Sequence, residues 1–225
     1  MPDVMQSALL IARKDLAIEL RTRSAFYSAL VFAILAAAIF HFAWDSANVD
    51  QVTLAPGVMW VIFVFSGLLG LQRSFSVEVA DRAIDGLLAS PVDRVAVFAG
   101  KMVANCVFTL AVQCIAVPAV IVFYNVSLGS WLFQFAAVML LATVGLTSVG
   151  TLFSSMAVNT RMAELMLPML ALPFFLPVVA MSARATELMV EGRLNEAWPA
   201  LKVLLAFDLV FVFVSAAAFP FTIED

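Results

Sequence analysis

The sequence predicts an all-α integral membrane protein: six transmembrane helices, an N-terminal interfacial helix and a short cytoplasmic coupling helix. Three observations predict it. Of 225 residues, 64% are hydrophobic and only 12% are charged, whereas about a quarter of a soluble domain is charged. Mean hydropathy is +1.06. Apolar runs long enough to cross a bilayer recur six times, separated by short polar stretches. The net charge of -4 and pI near 4.9 say little about partners, because what matters in a membrane protein is where the charges fall.

In chain order, Leu9, Ala12, Leu16 and Leu20 recur at three- or four-residue spacing, with Arg13, Lys14, Arg21 and Arg23 among them. That pattern suits a helix lying flat on an anionic leaflet and feeding the first span. A signal peptide is the rival reading, since an AAA run follows an apolar core, but its charged region is too long and the apolar run continues past it. The spans fall at roughly 25–43, 55–72, 95–124, 131–157, 164–183 and 199–221. Two of them are longer than a bilayer requires, so tilt or extension into water is expected. Arg13, Lys14, Arg21, Arg23, Arg73, Arg82, Arg94, Lys101 and Arg161 share one side, while only Arg184, Arg193 and Lys202 share the other. The positive-inside rule then places both termini in the cytoplasm. Trp44, Trp60, Trp131 and Trp198 come out near the outer interface, as an aromatic belt would.

The longest polar interruption of the first two-thirds of the chain lies between the second and third spans. Here Ile84, Leu87, Leu88 and Pro91 recur at helical spacing, while Glu78, Asp81, Arg82 and Asp85 supply a polar face. A short amphipathic helix follows. Ser90, Pro91 and Asp93 read as the start of the next helix, with Ser90 as N-cap, Pro91 at the first helical position and a carboxylate three residues after the cap. An ordinary solvated loop and a docking element both fit this segment. On the other side, residues 184–198 place Val190, Leu194, Ala197 and Trp198 on one helical face and Glu187, Glu191 and Asn195 on another. A helix lying on the outer surface fits, as an interfacial anchor or a contact surface.

Gly67, Gly70, Ala142, Gly145, Ser148 and Gly150 would let neighbouring helices approach closely. Pro168, Pro173 and Pro177 predict a kinked fifth span. Asp208 lies several residues inside the last span, and a buried ionisable group there is a functional candidate because burying it is costly. His41, the single histidine, ends the first span and reads as a polar tip in a wet layer rather than a haem ligand. Cys106 and Cys114 lack a CxxC spacing or a companion His and read as small hydrophobes. The chain has no GxxxxGK[ST], HExxH or GxSxG, so the sequence offers no support for nucleotide hydrolysis or catalysis by this chain, and no metal site or nucleic-acid partner is expected. Any work the protein does must draw on an outside energy source.

Three ordered blocks, APGVMWVIFVFSGLLGLQRSF, VEVADRAIDGLLASPVDRVAVFAGK and GTLFSSMAVNTRMAELMLPMLALPFFLPV, resemble the CcmB family of cytochrome c maturation. More broadly they are similar to permease subunits of ABC-2-type transporters. The resemblance covers about residues 9–221 and implies one ABC-2-type transmembrane domain over 1–225, with a coupling segment at 73–94 and an outer amphipathic segment at 184–198. It implies a multi-pass protein of the bacterial inner membrane whose partners are a separate ATPase, CcmA, with CcmC and CcmD. Using ATP bound by the ATPase, these subunits would release the haem-loaded chaperone CcmE; ATP and haem would both belong to partner subunits, and no cofactor is expected on this chain.

The resemblance also carries an ATPase-docking role onto Glu78, Asp81, Ile84, Asp85, Leu87, Leu88, Ser90 and Pro91. The chain departs from the family pattern at Arg82, Ala83 and Gly86. An exporter of lipid, polysaccharide or drug, and a non-transporting membrane scaffold, are the other functions this sequence accommodates. A permease without ATPase domains implies a homodimer or a pseudo-symmetric partner.

Overall fold

The computed structural model describes residues 3–45, 51–80, 92–126, 129–157 and 163–222. The elements are helices α1 (Val4–Thr22), α2 (Ser24–Asp45), α3 (Gln51–Ala80), α4 (Arg94–Tyr124), α5 (Leu132–Ala157), α6 (Ala163–Val190) and α7 (Trp198–Thr222), with short 3-10 turns at Gly129–Trp131 and Leu194–Ala197. Among the described residues there is no strand. Six of these helices are long and apolar enough to cross a membrane, so the chain is a multi-pass membrane protein.

The α1–α2 elbow is a single residue. Arg23 adopts a left-handed conformation, φ 53°, and its N–H donates to the Glu19 carbonyl. The Glu19 carboxylate in turn accepts from the Phe26 N–H at 2.9 Å, so the last turn of α1 caps the first turn of α2. Along α2, Ala25, Ala29, Ala33 and Ala37 are buried at four-residue intervals, while Tyr27, Val31, Leu35 and Ile39 face outward. Small side chains thus bring the α2 backbone against its neighbours and leave the bulky ones for lipid.

Helices α3 and α5 form the centre. Each buries 56% of its membrane-length window, against 22% for α2 and α7. Close approach comes from the glycines read as packing positions. A Cβ on Gly70 would lie 2.3 Å from the Phe108 ring of α4, and one on Gly150 would lie 2.4 Å from Leu71 of α3. The main core joins Trp60, Phe63, Phe135, Phe175 and Leu204, and a smaller one joins Ile11 of α1 to Phe98, Leu152 and Phe219.

Long-range hydrogen bonds define the two ends of the bundle. At the end carrying α1, Ser154 donates to the Leu71 carbonyl at 2.8 Å, Ser155 pairs with Thr222 and Arg94 reaches the Pro220 carbonyl. Toward the other end, Tyr124 donates to the Ala37 carbonyl and Trp60 to Thr186, both at 3.0 Å.

Three expectations are corrected. Helix α4 does not start from a Ser90 cap: it begins at Arg94, and Asp93 is the N-cap, its carboxylate accepting from the Val95 N–H at 2.8 Å. Asp93 is itself extended, ψ 132°, so the turn that Ser90 would have capped is not helical there. Nor do residues 184–198 form a separate surface helix. Helix α6 runs unbroken past Pro168, Pro173 and Pro177 to Val190, then closes with Gly192 in the left-handed region, φ 76°. There Gly192 donates to the Met189 carbonyl and Arg193 to that of Leu188, the Schellman pattern that ends a helix. Finally, two of the four tryptophans face inward. Trp60 and Trp131 are buried, Trp60 because Thr186 satisfies its indole N–H inside the bundle, and only Trp198 is well exposed.

Candidate functional site

The two long helices α3 and α4, about 45 Å each at 1.5 Å per residue, flank the segment read as a docking element. Glu78 lies in the last turns of α3. Asp81, Ile84, Asp85, Leu87, Leu88, Ser90 and Pro91 lie outside the described residues.

The structure adds a residue at the root of that segment that charge counting alone did not single out. Lys101, fully buried on α4, donates to Asp15 of α1 at 3.2 Å and to the Ser74 carbonyl of α3 at 3.0 Å. One position earlier, Gly100 admits α1: a Cβ there would stand 2.6 Å from the Ala8 carbonyl oxygen. Helix α1 is therefore seated against α4 by its Ser7, Ile11 and Ala12 face, while Leu9 and Leu20, expected on the apolar face, are exposed. A groove between α1, α3 and α4 is lined by Asp15, Glu19, Gly70, Ser74, Asn105 and Phe108.

From Lys101 a polar stripe runs into the bundle. Lys101, Asn105, Thr109 and Gln113 repeat every four residues on α4 and are all buried, as are Thr143, Thr147 and Thr151 on α5. Asn105 donates to Thr151 and Thr143 donates to Gln113, each at 3.0 Å. Eight residues up α4 match eight residues down α5, so both bonds belong to one antiparallel register. Interhelical hydrogen bonds of this kind hold membrane helices together where the surrounding lipid gives no hydrophobic drive. The four-residue repeat is visible in the sequence; the pairing is not.

Beside this seam sits Asp208 of α7, 5% exposed. It lies over Gly145 of α5, where a Cβ would be 2.6 Å from Oδ1. Among the described residues neither carboxylate oxygen has a hydrogen-bond partner. Cys106 of α4 contacts Thr147 and lies near Asp208. Cys114 is exposed, and both thiols are free. His41, read as a tip in a wet layer, instead packs its ring among Phe42, Phe123 and Tyr124, with centroids 5.3–6.0 Å away, and its Nδ1 is buried. Among the described residues no three His, Cys, Asp or Glu side chains converge as a metal site.

These features define a class: an all-helical, six-span membrane subunit with a hydrogen-bonded polar interior and a basic end where α1 is latched to the bundle. The CcmB protein family matches residues 6–225. The chain belongs to the CcmB family. It is similar to heme exporter protein B of Rhodobacter capsulatus, 26% identical over 80% of this chain and 82% of that protein. It is also similar to heme exporter protein B of Paracoccus denitrificans, 27% identical over 80% and 81%, and to that of Haemophilus influenzae, 24% identical over 79% and 80%. The family is one of transporter subunits rather than enzymes.

Proposed function

We propose that this chain is the membrane permease subunit of an ABC-type haem-export complex for c-type cytochrome biogenesis. The observation that carries the reading is family membership over nearly the whole chain, together with relatives named for haem export. The complex would sit in the bacterial inner membrane with both chain termini cytoplasmic, as the Lys and Arg distribution supports. A separate ATPase, CcmA, would dock on the segment from Glu78 to Pro91, with CcmC and CcmD alongside and the haem-loaded chaperone CcmE released outside.

In this reading the work is mechanical. ATP-driven closure of the ATPase pushes on the docking segment, and α3 and α4 carry the displacement through the membrane as rods. The Lys101 contacts to Asp15 and the Ser74 carbonyl support this, because they oblige α1 to move with the root of that segment. Deleting the gene and staining for covalent cytochrome haem tests the assignment: the expected result is loss of mature c-type cytochromes with haem accumulating on the chaperone. Normal cytochromes would point to an exporter of other cargo. Replacing Leu87 and Leu88 with Asp is expected to abolish co-purification of the ATPase while leaving membrane insertion intact; full retention would remove the docking role from those residues.

A further inference from the structure

The seat of Asp208 has no part in the docking argument and is unusual in its own right. A carboxylate ion inside a membrane bundle is stabilised by donors or a counter-charge, and where these are lacking it is costly. Asp208 is enclosed by protein, over Gly145 and beside the Phe207 ring, which stacks on Phe211 at 4.1 Å. Neither of its oxygens has a hydrogen-bond partner among the described residues.

Among the described residues, the groups that face it are few. From α5 comes Gly145, and the buried hydroxyls that follow it on α5, Thr147 and Ser148, already donate to carbonyls of their own helix at 2.7 and 2.9 Å. From α4 comes the Cys106 thiol. From α6, the residue stacked toward this part of α7 is Phe174, against Phe211 at 5.8 Å. Lys202, on α7 itself, is exposed. The seat therefore fits a carboxylic acid better than an ion, and it lies in the α5–α7 contact, one of the most extensive in the bundle.

We propose that Asp208 is a proton-exchanging site that couples protonation to the packing of α7 on α5. With the proton bound, the acid lies in the notch left by Gly145 and the contact is closed. On release, the O–H bond breaks, the electron pair stays on the carboxylate, and the proton passes to water admitted along the α4–α5–α7 seam as α7 lifts away. The ligand is thus a proton delivered by water, and the polar stripe ending at Gln113, whose Nε2 is also buried without a partner among the described residues, is the surface such water would wet. This goes beyond the haem-export reading and holds for any cargo.

The test uses the full chain in membrane vesicles and dicyclohexylcarbodiimide, an apolar reagent that adds to protonated carboxyls. Peptide mass spectrometry is expected to place the adduct on Asp208, with its rate falling about tenfold per pH unit above the midpoint of titration. In a Cys114→Ala chain, labelling of Cys106 by a water-soluble maleimide is expected to rise more steeply with pH than in the same chain carrying Asp208→Asn. Absence of the adduct at every pH, a pH-independent adduct, or identical Cys106 profiles in the two chains would overturn the proposal. Should Asp208→Asn fail to fold, the carbodiimide profile of the wild-type chain decides alone.

Discussion

The two ends of the bundle use the same ionic chemistry in opposite settings. At the end carrying α1, Lys101 is wholly buried and shared between a carboxylate and a main-chain carbonyl from two different helices. At the other end, Arg193 pairs with Glu191 and Glu196 and Arg184 with Glu187, the members of each pair two or three residues apart in sequence and all about one-third exposed or more. There the Arg193 guanidinium holds the Glu196 carboxyl below its usual range, and Glu196, with Glu191, raises Arg193. The exposed pairs dress a turn that the Schellman closure at Gly192 already sets. The buried group joins three helices, and removing one partner would strand the others. Burial and sequence separation, rather than the number of ion pairs, decide which end is mechanically fastened.

This contrast can be broken at three levels. Lys101→Met keeps roughly the length of the side chain but removes the donor to the Ser74 carbonyl and leaves Asp15 with only its half-exposed neighbour Lys14, 3.1 Å away. It is expected to cost about 3 kcal/mol in reversible unfolding in detergent and to release α1 to limited proteolysis; an unchanged unfolding curve would make the latch incidental. Tyr124→Phe removes the 3.0 Å bond to the Ala37 carbonyl and is expected to cost about 1 kcal/mol, with α1 still protected. Glu196→Gln, at the exposed end, is expected to leave unfolding unchanged. Because the Glu196 carboxyl is held low, whatever its pair contributes is present above the ordinary glutamate range and is lost as pH falls through the lowered folded-state value. Destabilisation by Glu196→Gln comparable to that of Lys101→Met would erase the distinction.

The sequence by itself determined the class, the six spans, most of them to within a few residues though the fifth runs on to Val190, and several of the positions where glycine lets helices meet, Gly100 excepted, because apolar length and small residues report directly on the surrounding medium. Asp208 stood out for the same reason, as a charge where the medium disfavours one. Local chemistry close to a helix end was harder to read. Ser90 and Asp93 both qualify as caps on residue type, and only the backbone, extended at Asp93, chose between them. Gly192 stood in plain view inside a segment whose apolar spacing suggested one helix, and its positive φ ended that helix. Trp60 carries the signature of an interfacial tryptophan, yet Thr186, distant in sequence, satisfies its N–H within the core.

What only the tertiary structure decided were the partners: Lys101 with Asp15, Asn105 with Thr151, Asp208 over Gly145. Residue type and periodicity say that a side chain needs a partner or a dry face. Which residue supplies it depends on the register between helices distant in the chain, and that register is set by how the seven described helices pack at once.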